Sequence, residues 1–266
     1  MYLSHFGLKH YPFEKTLGSD ELLDTESQAE VRARIAHLVE LRGIGLLTGE
    51  PGVGKTAVCR QVADSLHDGL HQVRYVSFST GSVRDIYNAV ATAFGLPESQ
   101  SRATLFRALR EETSRLVAEA GKLPVLILDE AHHLGNDVLA EFKMLANHRM
   151  DSANRLCLLL VGLTELRNRL RMAVHEPLAQ RIVVNCHIHA LRREEVDAYV
   201  GHRMRLAGAD VPVFDPAAVE ALALAANRVP RKIDRLAHHA LIAAADDGKR
   251  TVADGHVNRA AEEMVP

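Results

Sequence analysis

The chain has 266 residues, 47% hydrophobic and 25% charged, with 32 Lys+Arg against 34 Asp+Glu. That apolar content excludes a wholly disordered chain, and a net charge of −2 excludes a histone-like basic protein. The longest clean apolar run, Leu156 to Leu163, is too short to span a bilayer, and the charged N-terminus holds no signal-peptide core.

Apolar runs then alternate with amphipathic stretches up to about residue 190. Thr25-x-x-Gln28 reads as a capping box that opens a helix closing at Arg42. Ile44–Thr48 is a short apolar run between glycines, a buried strand. A helix is expected from Lys55 to Leu66, a strand over Val73–Phe78, and a helix from the box Ser82-x-x-Asp85 to Phe94. Thr104–Ala120 carries Leu105, Leu109, Leu116 and Val117 at helical spacing. Pro124 introduces the apolar strand Val125–Leu128, and Asn136 caps a helix to about His148. Leu156–Val161 and Ile182–Ile188 complete five strands.

After Ala190 only helices remain, over Arg193–Leu206, Pro216–Ala226, Pro230–Ala245 and Val252–Met264. Asp215 caps the second of these, and Thr251-x-x-Asp254 reads as a box for the last. The alternation predicts an α/β fold with a mostly parallel five-stranded sheet covered on both faces. The expected boundaries are residues 1–190 for this nucleotide-binding domain, with 1–24 as a docking segment, and 191–266 for a small all-helical domain.

Gly49-Glu50-Pro51-Gly52-Val53-Gly54-Lys55-Thr56 matches the phosphate loop GxxxxGK[ST] in full, after a strand and before a helix. Glycines let backbone N–H groups curl round phosphates, and the helix N-terminus adds partial positive charge. Lys55 is expected on the β- and γ-phosphates of ATP, Thr56 on Mg2+, and Ala57 extends the binding segment. The glycine spacing does not suit a dinucleotide site, which would leave the Lys-Thr pair unexplained. Val125-Leu126-Ile127-Leu128-Asp129-Glu130 is a Walker B element. Asp129 is the expected Mg2+ partner, and Glu130 the general base that polarises water. The tetrad Asp-Glu-Ala-His also occurs in helicases, but the chain is too short for two helicase motor domains.

With these motifs in an α/β domain followed by a helical lid, the chain resembles AAA+ ATPases. The opening Met1-Tyr2-Leu3-Ser4-His5-Phe6-Gly7-Leu8 and Tyr11-Pro12-Phe13 resemble the ExeA-type group. So do Leu160-Val161-Gly162-Leu163-Thr164-Glu165-Leu166 and Leu178-Ala179-Gln180-Arg181-Ile182. That group joins general secretion pathway A proteins with ATP-binding helpers of bacterial transposons (the TniB, TnsC, IstB and MuB sort). The resemblance implies an arginine finger at Arg181 acting in trans, with Arg169 and Arg171 as competitors and an ordinary surface role as the alternative. It implies a sensor-2 contact to ATP from Arg231 in Pro230-Arg231-Lys232-Ile233-Asp234. Sensor 1 departs from the pattern, with Leu163 where a Gln is common and Thr164 as a stand-in. Tyr11-Pro12-Phe13 would pack near the adenine or simply dock on the core.

The remaining features are plainer. The pairs His132-His133, His187-x-His189 and His238-His239 lack the carboxylate or Cys company of a zinc site. Cys59, Cys157 and Cys186, without CxxC spacing, read as core residues of a cytoplasmic protein. Arg84 and Arg102, with Arg107 and Arg110, are candidate DNA-phosphate contacts or members of a solvated helix face.

Three functions compete. The first is an ATPase that self-assembles on double-stranded DNA as a ring or filament and regulates a transposase, which the resemblance implies. The second is a secretion-pathway ATPase, a branch expected to continue into a transmembrane helix and a cell-wall-binding domain; this sequence shows neither. The third is a nucleotide-dependent scaffold with little turnover, against which Glu130 argues.

Overall fold

The computed structural model describes residues 2–15, 17–78, 81–146 and 154–264. In chain order the elements are α1 (Tyr2–Phe6), α2 (Glu26–Leu41), β1 (Ile44–Gly49), α3 (Lys55–Ser65), β2 (His71–Ser77), α4 (Val83–Ala93) and α5 (Arg102–Ala118). There follow β3 (Leu123–Asp129), α6 (Asn136–Ala146), β4 (Cys157–Gly162), α7 (Thr164–Leu170), α8 (Glu176–Ala179) and β5 (Ile182–Ile188). The last four helices are α9 (Arg193–Leu206), α10 (Pro216–Ala225), α11 (Pro230–Asp246) and α12 (Asp254–Glu263).

Packing divides the chain into two units. The first comprises Glu26–Pro51 and Lys55–Ile188. Its sheet has the order β2-β3-β4-β1-β5, and every pairing is parallel. β1, β3 and β4 are buried along their whole length, as the unbroken apolar runs require of strands covered on both faces. One face packs Leu126, Leu128, Leu158 and Leu160 against Ile86, Val90, Leu105 and Leu109 of α4 and α5. This order brings the C-terminal ends of β3, β4 and β1 side by side, where open parallel sheets bind ligands.

Local signals explain several boundaries. Ser82 caps α4 by accepting from Asp85 N–H at 3.3 Å, and Asp85 answers at Ser82 N–H at 3.0 Å. Three short helices have no counterpart in the expected pattern. α7 follows β4 with only seven residues, α1 has five and α8 four, so none shows a full amphipathic repeat. The end of the helix expected to reach His148 lies outside the described residues.

The second unit comprises Met1–Thr25, Gly52–Gly54 and His189–Pro266. Its core joins Val196, Val200 and Met204 of α9 to Leu222, Ile233, Leu241 and Val257. Residues 1–24, assigned above to the α/β domain, pack here instead. The reason is local: Tyr2 and Leu8 are buried in the helical core, with Tyr11 and Phe13 packed against it. Buried Arg203 then fixes the segment by donating to Pro12 O at 2.7 Å and Glu14 O at 2.5 Å. The capping box expected at Thr251 is also corrected. Val252 N–H donates to Val213 O at 2.8 Å, its own carbonyl accepts from Asp215 N–H at 3.0 Å, and the helix starts at Asp254. His256 supplies the cap, its Nδ1 accepting from Ala253 N–H at 2.9 Å. Among the described residues no helix is long and apolar enough to cross a membrane.

Candidate nucleotide site

β1 delivers the phosphate loop and α3 begins at Lys55. Lys55 is buried, and its Nζ donates to Gly49 O and Glu50 O, each at 3.0 Å. An ammonium buried on loop carbonyls at the start of a helix is a suitable counterpart for phosphate. Thr56, next on the helix, donates its hydroxyl to Asp129 Oδ2 at 2.7 Å. Asp129 is itself buried at the end of β3; its Oδ1 accepts from Glu130 N–H at 2.8 Å, and Tyr75 donates to Oδ2 at 2.8 Å. A hydroxyl and a carboxylate in contact form the hard-oxygen pair that suits Mg2+.

Glu130 stands just beyond β3 with its backbone left-handed, φ 55°. This turns its half-exposed carboxylate away from Asp129's strand and into the helical turn Ala131–His133. Oε2 of Glu130 lies 3.4 Å from His132 Nδ1. Contrary to the expectation from sequence, the His132-His133 pair does have carboxylate company: Glu130, His132 and His133 present ligand atoms all within 4.8 Å of one another. Burial, and then the neighbouring His133, hold the His132 pKa below the ordinary histidine value.

The end of β4 closes in from the other side. A Cβ on Gly162 would stand 2.9 Å from Leu166 Cδ2 and 3.2 Å from His132 N, so any larger residue would have to shift the turn that carries His132. Thr164 donates to Glu50 Oε1 at 2.7 Å, tying the stand-in sensor-1 residue to the phosphate loop. Arg169, a competitor for the finger role, is committed internally. Its guanidinium donates to His132 O at 2.8 Å, Leu134 O at 2.6 Å and Asn136 Oδ1 at 3.1 Å. His175 Nε2 reaches the same Asn136 oxygen at 2.9 Å. Asn136, expected as a cap, thus serves as a junction. Arg181 sits in the turn between α8 and β5, its N–H donating to Leu178 O at 3.0 Å.

Within the helical unit, Arg231 is exposed at the first turn of α11, and its N–H donates to Gly52 O at 3.3 Å. Gly52 has φ 84°, and a Cβ there would meet Arg231 Cβ at 2.8 Å. Arg231 and the loop glycine therefore need each other's shape. The two DNA candidates meet near one helix junction: Arg84 donates to Gln100 Oε1 at 2.9 Å, and Arg102 pairs with Glu141 at 2.6 Å. Tyr75 and His175 have no mark in the sequence, and Arg169 stands there only as a competing finger; register and packing give all three their places.

A P-loop, a Walker B carboxylate pair and a five-stranded parallel sheet define an AAA-type ATPase fold. A family model described as an AAA domain matches residues 37–170, and the chain belongs to that family. It is 34% identical over 267 residues to general secretion pathway protein A of Aeromonas hydrophila, covering 99% of this chain and 48% of that protein. It is 32% identical over 139 residues to the ATP-dependent target DNA activator B of Escherichia phage Mu, covering 52% of this chain and 40% of that one. In structure it is similar to Cdc6p of Pyrobaculum aerophilum, with TM-score 0.75 and 17% identity over 96% of this chain and 70% of that one. The chain spans less than half the length of these two curated relatives.

Proposed function

We propose that this protein is a Mg2+-dependent ATPase that assembles with its own copies on double-stranded DNA and regulates a transposase. The observation that carries the chemistry is the contact of Thr56 with Asp129 beside Glu130 and the buried Lys55. The likeness to a target DNA activator supports the role.

Lys55 binds phosphate oxygens of ATP, exchanging its loop carbonyls for them. Thr56 and Asp129 would hold Mg2+, which neutralises charge on the β- and γ-phosphates when bound. Water adds to the γ-phosphorus as the bond to the ADP oxygen breaks. Glu130 accepts the water proton on its carboxylate and passes it to the phosphate released. Arg231 contacts the nucleotide in cis, and Arg181 of a neighbouring copy stabilises the charge that develops. Arg84 and Arg102 contact DNA phosphates; one copy binds weakly, and ATP-driven assembly sums many weak contacts.

A gel shift with duplex DNA tests the reading, with filaments sought by electron microscopy. Retention with ATP and none without nucleotide is expected. Absence of retention with every ATP analogue at low salt would overturn the DNA role. The secretion-pathway reading is favoured by the 34% identity along 99% of the chain; membrane co-fractionation and lost secretion on gene deletion would establish it. A scaffold with little turnover predicts a Glu130→Gln variant equal to wild type in steady-state ATPase.

A further inference from the structure

We propose that Glu130, His132 and His133 form a binding site for a transition-metal dication of the Zn2+ class, distinct from the oxygen-only pair of Thr56 and Asp129. Three observations carry it.

The first is spacing. Two ligands about 2.05 Å from a tetrahedral ion lie about 3.3 Å apart. Glu130 Oε2 and His132 Nδ1 are separated by 3.4 Å, and a nitrogen of His133 completes a set within 4.8 Å. That 3.4 Å is longer than a normal N–H···O hydrogen bond and matches the spacing of two ligands on one ion. The second is preorganisation. The left-handed Glu130 and the single helical turn after it bring carboxylate and rings to one side, the two rings 4.1 Å apart at a 38° tilt. Arg169 clamps the turn through His132 O and Leu134 O. Leu163 N–H approaches His132 Nδ1 at 3.4 Å, a long contact that a metal displaces. The third is access. His133 is exposed and Glu130 half-exposed, so an ion can enter and water can take the fourth position.

Two imidazoles and one carboxylate favour Zn2+, Co2+ or Ni2+ over Mg2+. A carboxylate bound to a metal is a much weaker base toward water, because the cation competes with the proton. Occupancy therefore inhibits hydrolysis, a consequence that rests on Glu130 being the general base.

Cobalt is the probe, because tetrahedral Co2+ absorbs visible light far more strongly than octahedral Co2+. Metal-free full chain titrated with Co2+ is expected to develop that band, and His133→Ala and His133→Gln are expected to lose it while keeping basal Mg2+-ATPase. In excess Mg2+, Zn2+ should inhibit wild type at a concentration at least tenfold below that needed for either variant, as loss of one ligand implies. A weak octahedral spectrum in wild type, or equal inhibition of wild type and variants, would overturn the site. A tetrahedral spectrum with undiminished turnover would leave the site standing and reject Glu130 as the base.

Discussion

Tyr75 donates its hydroxyl to the same oxygen of Asp129 that accepts from Thr56, at 2.8 Å and 2.7 Å. In the parallel register Tyr75 pairs with Ile127 and Ser77 with Asp129, so Tyr75 reaches diagonally along one face of the sheet. Burial and the Asp129 carboxylate both push the phenol pKa up, so the donor stays protonated. Tyr75→Phe should raise the Mg2+ concentration for half-maximal ATPase by about tenfold, the usual cost of an outer-shell partner. The KM for ATP at saturating Mg2+ should stay unchanged, and a shift in both would reduce Tyr75 to a packing residue.

Glu130 separates chemistry from folding. Glu130→Gln should retain nucleotide while slowing turnover about 10²–10⁴-fold. Its φ of 55° strains any residue with a Cβ, so Glu130→Gly should be more stable than Glu130→Ala by about 1 kcal/mol, despite equal inactivity. Chemical denaturation of both variants checks this. Lys55→Ala, in contrast, should abolish binding of a fluorescent ATP analogue.

The two candidate finger arginines should fail differently. Arg169→Ala removes three donations and leaves buried carbonyls unpaired, so a loss of about 2–4 kcal/mol in stability is expected. Arg181→Ala should melt with wild type yet lose about 10³-fold or more in ATPase. Mixing Arg181→Ala with Glu130→Gln should restore part of the activity, since a mixed pair rebuilds one complete site. No recovery at any ratio would reject action in trans.

Burial raises the Asp234 pKa to about 6, against the pull of Arg203, the Tyr199 hydroxyl bond at 2.8 Å and Arg231. A raised acid stabilises the fold while protonated, below its unfolded value near 4. That contribution fades as pH climbs through about 6. Asp234→Asn keeps an oxygen for Tyr199, so it should be the more stable protein at pH 8, by on the order of 1–3 kcal/mol, and equal to wild type below pH 4. Thermal melts across this range decide.

The strands and the phosphate loop were legible because their signal is continuous in sequence. β1 and β3 are single apolar runs, and the loop motif occupies eight adjacent residues. Residues that act across strands were not. Tyr75 becomes relevant only through the register of β2 on β3, and Arg169 only through a seven-residue helix too short to show a period. The grouping of Glu130 with His132-His133 is not visible in sequence, because here residues so close along the chain come together through an unusual backbone angle at Glu130. Residues 1–24 carry aromatic residues but no sign of which apolar surface will cover them.

The sheet order has a consequence for synthesis. β1, which bears the phosphate loop, has β4 and β5 as its neighbours, pairing Ile44 with Leu158 and Ile182. A ribosome-bound chain that has released β1, β2 and β3 therefore owns both Walker motifs but has no strand to hold them in register. Such an intermediate should neither retain ATP nor resist protease, and both properties should appear together once β4 and β5 emerge.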